Sequence, residues 1–273
     1  MTVLLQVSDP HFGTAQAPVV KALQQLALAQ KPAVLVLSGD ITQRAKAAEF
    51  AEAKAFCDSL SIPNTVSVPG NHDIPLFNIF QRLFTPYKAY LRAFGPDGEG
   101  PVETPFFQVI GVNTTRWWRH KNGQISSRQI EQVAEKLRSG AAGRLRVVVV
   151  HQPVYVLKAD DEHDRLRGWE PAVRAWAKAG ADVVMGGHIH LPYARELSAV
   201  VPGLERRLWC VQAGTAVSSR TRSGVSNSVN LLRFSELAEG RRQCELERWD
   251  FRQGSASFEM GQKTLMVLDS AGA

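Results

Sequence analysis

Five of the seven histidines, with three aspartates and an asparagine, fall in five short blocks at the ends of apolar runs: Asp9-Pro10-His11, Gly39-Asp40, Gly70-Asn71-His72-Asp73, His151 and Gly187-His188-Ile189-His190. Carboxylate oxygen and imidazole nitrogen are the donors that hard and borderline divalent ions take, and two ions held roughly 3.5–4 Å apart need a carboxylate able to bridge them. Asp40 is the natural bridge. In Asp9-Pro10-His11 alternate residues of an extended segment point to one side, so carboxylate and imidazole can close on one ion, and His188 and His190 repeat that spacing. Glycines stand before three of the blocks (Gly39, Gly70 and Gly186-Gly187) and permit tight turns there. A lone Asp-x-His or Gly-Asp pair is common, and a lone strand-end histidine is usually structural. It is the conjunction of five blocks, with no cysteine pair as a rival site, that reads as a two-metal hydrolytic centre.

Each block follows a stretch with the pattern of a buried strand: Val3–Val7, Ala33–Leu37, Thr65–Val68, Val147–Val150 and Val183–Met185. A parallel α/β sheet delivers the residues beyond its strand ends to one crevice, so distant blocks can meet. Apolar residues at helical spacing predict helices over Val19–Leu28, Ala45–Leu60, Ser127–Leu137 and Pro171–Lys178. The aromatic-rich stretch 74–94, interrupted by Pro75 and Pro86, predicts one or two short helices over the rim of the site, packed on the domain or acting as a lid. Residues 95–105 read as a Gly- and Pro-rich loop before a strand at Phe106–Val112. The acidic run Asp160-Asp161-Glu162-His163-Asp164 reads as a solvated loop. Alternating runs over Arg207–Phe251, with turns at Ser223-Gly224 and Glu239-Gly240, predict antiparallel strands.

With 273 residues, 44% hydrophobic and 21% charged, the chain has ordinary globular composition. One domain over 1–253 is expected, followed by a weakly structured tail at 254–273. No apolar run approaches a membrane span, and the chain runs from Met1 straight to the Asp9 block without a leader pattern, so a cytoplasmic location is expected. Cys57, Cys210 and Cys244 are widely spaced within apolar patterns and read as reduced core residues. A net charge of +6 and a pI near 9.4 suit an anionic partner, such as a phosphate ester, a nucleic acid or a membrane surface, or simply a solvated basic surface. The late arginines are interleaved with few aromatics, which disfavours a single-strand nucleic-acid platform.

The order and wording of the blocks, D-x-H, G-D, G-N-H-D, H and G-H-x-H over residues 9–190, resemble the signature of the calcineurin-like metallophosphoesterases. That resemblance implies a four-layer α/β/β/α sandwich, two mixed sheets face to face with flanking helices, in which Arg207–Phe251 complete the second sheet. It implies one divalent ion (Mn, Fe or Zn) on Asp9, His11 and His190 and another on Asn71, His151 and His188, with Asp40 shared and an acidified water as nucleophile. It also places His72 at the scissile phosphate, and Asp73 is expected to orient the His72 ring. Within the superfamily the chain most resembles the bacterial class III cyclic-nucleotide phosphodiesterases. The alternatives are a UDP-diacylglucosamine pyrophosphohydrolase, which commonly carries arginine where His72 stands, a phospholipid or nucleic-acid diesterase, and a non-catalytic metal-bearing scaffold. Arg44 and Thr215 are candidate substrate contacts. Arg116, Trp117, Trp118 and His120 are a candidate recognition loop, with the two tryptophans as core residues the alternative.

Overall fold

The computed structural model describes residues 1–236 and 242–270. In chain order the elements are β1 (Thr2–Val7), α1 (Ala17–Gln30), β2 (Val34–Ser38), α2 (Ala47–Ser59), β3 (Asn64–Val68), α3 (Ile79–Phe84), α4 (Lys88–Phe94), β4 (Val102–Glu103), β5 (Phe107–Gly111), α5 (Ser127–Ser139), β6 (Leu145–Val149), α6 (Trp169–Lys178), β7 (Val183–Gly186), β8 (Tyr193–Glu196), β9 (Trp209–Gln212), β10 (Ser228–Glu236), β11 (Arg242–Arg252) and β12 (Ser257–Val267). The four helices expected outside 74–94 are present within two residues of their predicted ends, and 74–94 holds two short ones, α3 and α4. The Glu239-Gly240 turn lies outside the described residues.

Two six-stranded sheets form, in the orders β12-β11-β10-β1-β2-β3 and β4-β5-β6-β7-β9-β8. Both mix parallel and antiparallel pairs: β1 lies parallel to β2 and antiparallel to β10, and β9 lies parallel to β7 and antiparallel to β8. Strand alternation sorts the core into layers. Leu4, Val34, Val36, Val147, Val149, Met185 and Phe234 fill the space between the sheets. Leu5, Val7, Leu35 and Leu37 face the opposite way and pack on α1 and α2 through Leu23, Leu26, Phe50 and Phe56. The outer face of the second sheet packs in the same manner on α5 and α6, where Ile130, Val133, Ala134 and Leu137 form one stripe of α5. Ser126 and Gln129 close a capping box at the start of α5. The result is the expected helix, sheet, sheet, helix order.

Three expectations on topology are corrected. The five polar blocks do not come from one parallel sheet: β1, β2 and β3 belong to the first sheet, β6 and β7 to the second, and the crevice lies where the carboxyl ends of both sheets meet. Residues 207–251 are divided between the sheets, since β9 joins the second while β10 and β11 extend the first, with Thr2 opposite Phe234. The described part of the expected tail, residues 254–270, is not loose; residues 271–273 lie outside the described residues. Ser257–Val267 pairs with β11 along its length, and Phe258 and Met266 are buried. Alternation there is blurred by solvent exposure at the sheet edge and by a register shift at Arg248/Trp249, which hid the strand signal.

Beneath the crevice the core between the sheets turns polar. The Gln6 amide donates to Ser38 Oγ and, across the sheets, to the Gly186 carbonyl, each at 3.0 Å, while Asn230 donates to Gln6 Oε1 at 2.9 Å. These bonds lock one sheet to the other just below the loops that carry the histidines, which fixes the relative position of the blocks.

Candidate metal centre

The blocks converge. His190 Nε2 lies 3.2 Å from Asp9 Oδ1 and 3.4 Å from His11 Nε2, and His11 Nε2 is 3.8 Å from Asp40 Oδ2. On the other side of Asp40, His151 Nε2 is 3.4 Å from Asp40 Oδ1, 3.3 Å from Asn71 Oδ1 and 3.3 Å from His188 Nδ1. Two groups of donor atoms result, one from Asp9, His11, Asp40 and His190 and one from Asp40, His151 and His188, each compact enough for a single ion and sharing Asp40. Asn71 adjoins the second.

The residues fit divalent ions on three counts. Donor atoms bound at about 2.1 Å to one ion lie roughly 3.0–3.4 Å from each other, which is close to the spacing of these atoms. Imidazole nitrogens face each other in both groups, a contact poorly satisfied by hydrogen bonds alone. Two of the outer ring nitrogens are held by protein acceptors: His151 Nδ1 donates to the Ser38 carbonyl at 2.9 Å and His190 Nδ1 to the Arg220 carbonyl at 2.6 Å. A carbonyl only accepts, so each of these rings carries its proton on Nδ1 and turns an unprotonated Nε2 inward when neutral. His188 is reversed: its Nδ1 faces His151, and its Nε2 lies 3.4 Å from Asp164 Oδ1. Complete burial drives the His11 pKa down to about 4, against the pull of Asp40 and Asp9, so that ring is neutral at physiological pH. Burial acts in the same sense on His151, but the Asp40 carboxylate overrides it and raises its pKa to about 9.

Backbone conformation supplies the convergence. Asp9, His11, Asp40, His188 and His190 all have positive φ, between 42° and 72°, although none is glycine. Left-handed backbone costs a non-glycine residue about 1–2 kcal/mol, and five such residues at one place mark a site whose geometry is imposed by its surroundings. Peptide bonds supply part of that constraint: Asp9 N–H donates to the Gly39 carbonyl, His11 N–H to the Asp40 carbonyl and His72 N–H to Asp40 Oδ1. Gly39 and Gly70 leave no room for a side chain, since a Cβ would stand 2.2 Å from His151 Nδ1 in the first case and 2.1 Å from the Asp40 nitrogen in the second.

Asp73 does not orient His72. Its carboxylate accepts from Ile41 N, Thr42 N, Thr42 Oγ1 and Gly70 N at 2.8–3.0 Å, and His72 Nδ1 instead donates to the Gln43 carbonyl at 3.0 Å. Asp73 therefore clamps the Asp40 loop to the Asn71 loop. Burial, with Asp40 close by, pushes its carboxyl up to about 6, and four donors with no acceptor hold it ionised at neutral pH. Asp73→Ala leaves three buried peptide N–H groups without partners. We expect a loss of about 3 kcal/mol or more in urea unfolding together with weakened metal retention. An unchanged unfolding midpoint would show that the clamp is not needed.

The cleft above the two groups, about 310 Å³, is lined by Asp40, Asn71, His72, His188 and His190, by Lys121, Arg220 and Arg222, which the sequence did not place in the site, and by Asp161 and Asp164 of the acidic run. The acidic run is not a solvated loop. It forms a short 3-10 turn over Ala159–Asp164 that buries Asp161 against Arg222 at 3.0 Å and presents Asp164 to His188. No local sequence signal separates such a run from a surface loop. Arg44 lies away from the cleft, stacked 5.4 Å from the Phe77 ring. Thr215 is buried and donates to the Arg220 carbonyl at 2.8 Å, so it braces the loop that also accepts from His190 rather than lining the cleft. Trp117 and Trp118 meet edge to face at 5.4 Å outside the cleft, and no residue of 74–94 lines it either.

A family model described as calcineurin-like phosphoesterase matches residues 2–192, and the chain belongs to that family, whose members bind two divalent metal ions. Similar solved structures include a dimetal phosphatase from Danio rerio, with TM-score 0.65 and 11% identity over 98% of this chain and 99% of that one. Another is the purple acid phosphatase PPD1 from seeds of yellow lupin, Lupinus luteus, with TM-score 0.60 and 12% identity over 98% of this chain and 54% of that one. Identities this low speak for the shared fold alone. No curated protein sequence matches the chain.

Proposed function

We propose that the protein is a metal-dependent phosphodiesterase acting on a small anionic diester, a cyclic nucleotide or a close analogue, with Asp9, His11, Asp40 and His190 holding one ion and Asp40, Asn71, His151 and His188 the other. The observation that carries this reading is His72. It lines the cleft beside the first group, its ring edge on to His11 at 4.9 Å. Its Nδ1 is anchored on Gln43, and among the described residues no hydrogen-bond partner faces Nε2. With the Nδ1 proton given to a carbonyl, Nε2 carries a proton only in the imidazolium form, and in that form the ring can pass it to a departing alkoxide, which a diester of an alcohol requires. Two divalent ions, Mn, Fe or Zn, would supply an acidified water and neutralise the phosphate oxygens when bound.

The rest of the cleft binds and orients. Arg222 is fixed by Asp161 and by the Ile189 carbonyl, and Arg220 by Gln43 Oε1, so two guanidinium groups stand at the mouth with restricted motion. Lys121 adds a third cation. A substrate bearing negative charge is drawn to this wall, whereas Asp161 keeps Arg222 in place and Asp164 keeps His188. Three buried, unpaired cysteines suit a reducing compartment, and among the described residues no helix is long and apolar enough to cross a membrane.

The test is turnover of bis(p-nitrophenyl) phosphate by Mn²⁺-loaded protein, followed by cyclic AMP, a UDP-linked lipid and single-stranded DNA under the same conditions. Cyclic AMP is expected to be cleaved. Cleavage of the UDP-lipid alone would move the protein to the pyrophosphohydrolase branch. Binding of two ions with no ester turned over would leave only the scaffold reading.

A further inference from the structure

We infer that the aromatic segment after the Asn71 block, together with the loop at 116–121, is a docking face for an anionic lipid surface. Every residue of α3 is at least partly exposed although four of its six are Ile79, Phe80, Leu83 and Phe84. Among the described residues fifteen large apolar side chains are exposed, and seven of them fall between Leu76 and Leu91, with Phe77 and Phe80 each 78% exposed and Phe84 73%. Scattered apolar residues on a surface are ordinary, but half of the total gathered on one short helix and its flanks is a patch that needs a partner.

The second segment reaches the patch from far along the chain. Arg82 of α3 donates to the Pro75 carbonyl at 3.1 Å and to the Arg119 carbonyl at 2.9 Å, and Tyr87 Oη bonds Thr115 Oγ1 at 3.0 Å. These bonds hold the loop bearing the exposed Trp118 beside α3. Residues 74–96 contain Arg82, Lys88 and Arg92 and no acid, and residues 113–124 contain Arg116, Arg119 and Lys121 and no acid. An apolar ridge with an aromatic side chain at its margin, carried on two segments whose charged residues are all cationic, matches a bilayer interface, where the ridge enters the acyl boundary and the cations meet anionic headgroups.

Charge decides against the other occupants. A second copy would bring like-charged margins together across a two-fold axis. A single-stranded nucleic acid would pair with the cations and stack on the aromatics, but would leave Ile79 and Leu83 in water. Lys121 belongs both to this loop and to the wall of the cleft, so docking would set the cleft mouth next to the lipid surface. The inference does not depend on which ester is cleaved.

The experiment is flotation of the full chain with vesicles of phosphatidylcholine, with and without phosphatidylglycerol, at low and high salt. It compares the wild type with the double variant Phe80→Asp, Phe84→Asp and with Trp118→Ala. Binding is expected with phosphatidylglycerol, weak without it, reduced by salt, and about tenfold or more lower in the double variant, since two buried aromatic contacts become charges. The thermal melt and hydrolysis of bis(p-nitrophenyl) phosphate should stay unchanged, because these side chains are exposed and lie outside the cleft. Absence of vesicle binding by the wild type would overturn the inference. So would equal binding by the folded double variant, a dimer in sedimentation equilibrium that this variant abolishes, or oligonucleotide binding that it abolishes while vesicles stay unbound.

Discussion

Asp40→Asn is expected to empty both ion positions at once. One carboxylate oxygen faces His151 at 3.4 Å and also accepts the His72 N–H at 2.8 Å, and the other faces His11 at 3.8 Å. Asparagine keeps the size of the group but replaces an anionic oxygen by an NH₂ that neither accepts nor ligates. Whichever way the amide turns, one of the two groups loses its donor and both lose the negative charge. Metal retained after dialysis should fall from two ions per chain to fewer than one. Turnover of bis(p-nitrophenyl) phosphate should fall by about 10³-fold or more, because water activation and charge neutralisation go together. Retention of both ions with turnover within tenfold of wild type would remove Asp40 from the centre of the scheme.

His72→Ala should show the opposite pattern. Neither group of donor atoms includes this ring, so two ions should remain bound. A general acid contributes about 10²–10⁴-fold, and the loss should appear in kcat more than in KM. Leaving groups provide the sharper readout. p-Nitrophenolate departs without a proton, whereas the alkoxide of a ribose needs one, so the loss should be small for bis(p-nitrophenyl) phosphate and large for a cyclic nucleotide. Equal losses on both substrates would make His72 a binding or structural group instead.

The layers and most helices were legible because local patterns encode them. Alternating apolar residues at Leu4 and Leu5, or the stripe Ile130, Val133, Ala134 and Leu137, depend only on which face of an element is buried. The chemical blocks were legible for a related reason, since ligating side chains are few in kind and their spacing within each block is short. Asp73 and Asp164 show where this stops. An acid adjacent to a histidine in sequence turned out to bond peptide groups of another loop, and an acid in an apparently solvated run turned out to bond a histidine 24 positions away. Neither partner is marked by proximity along the chain.

The sequence by itself determined the candidate donor residues, the strand ends that carry them and the glycines that let the loops pass close together. Only the tertiary structure decided that two sheets, not one, supply those strand ends, that five donor residues adopt left-handed backbone, and that Lys121, Arg220 and Arg222 complete the wall. The reason is the range of the forces involved. Hydrophobic periodicity and turn chemistry act within a few residues, whereas the pairing of β10 with β1 and the Gln6 bond to Gly186 join positions more than 170 residues apart, whose meeting no local pattern specifies.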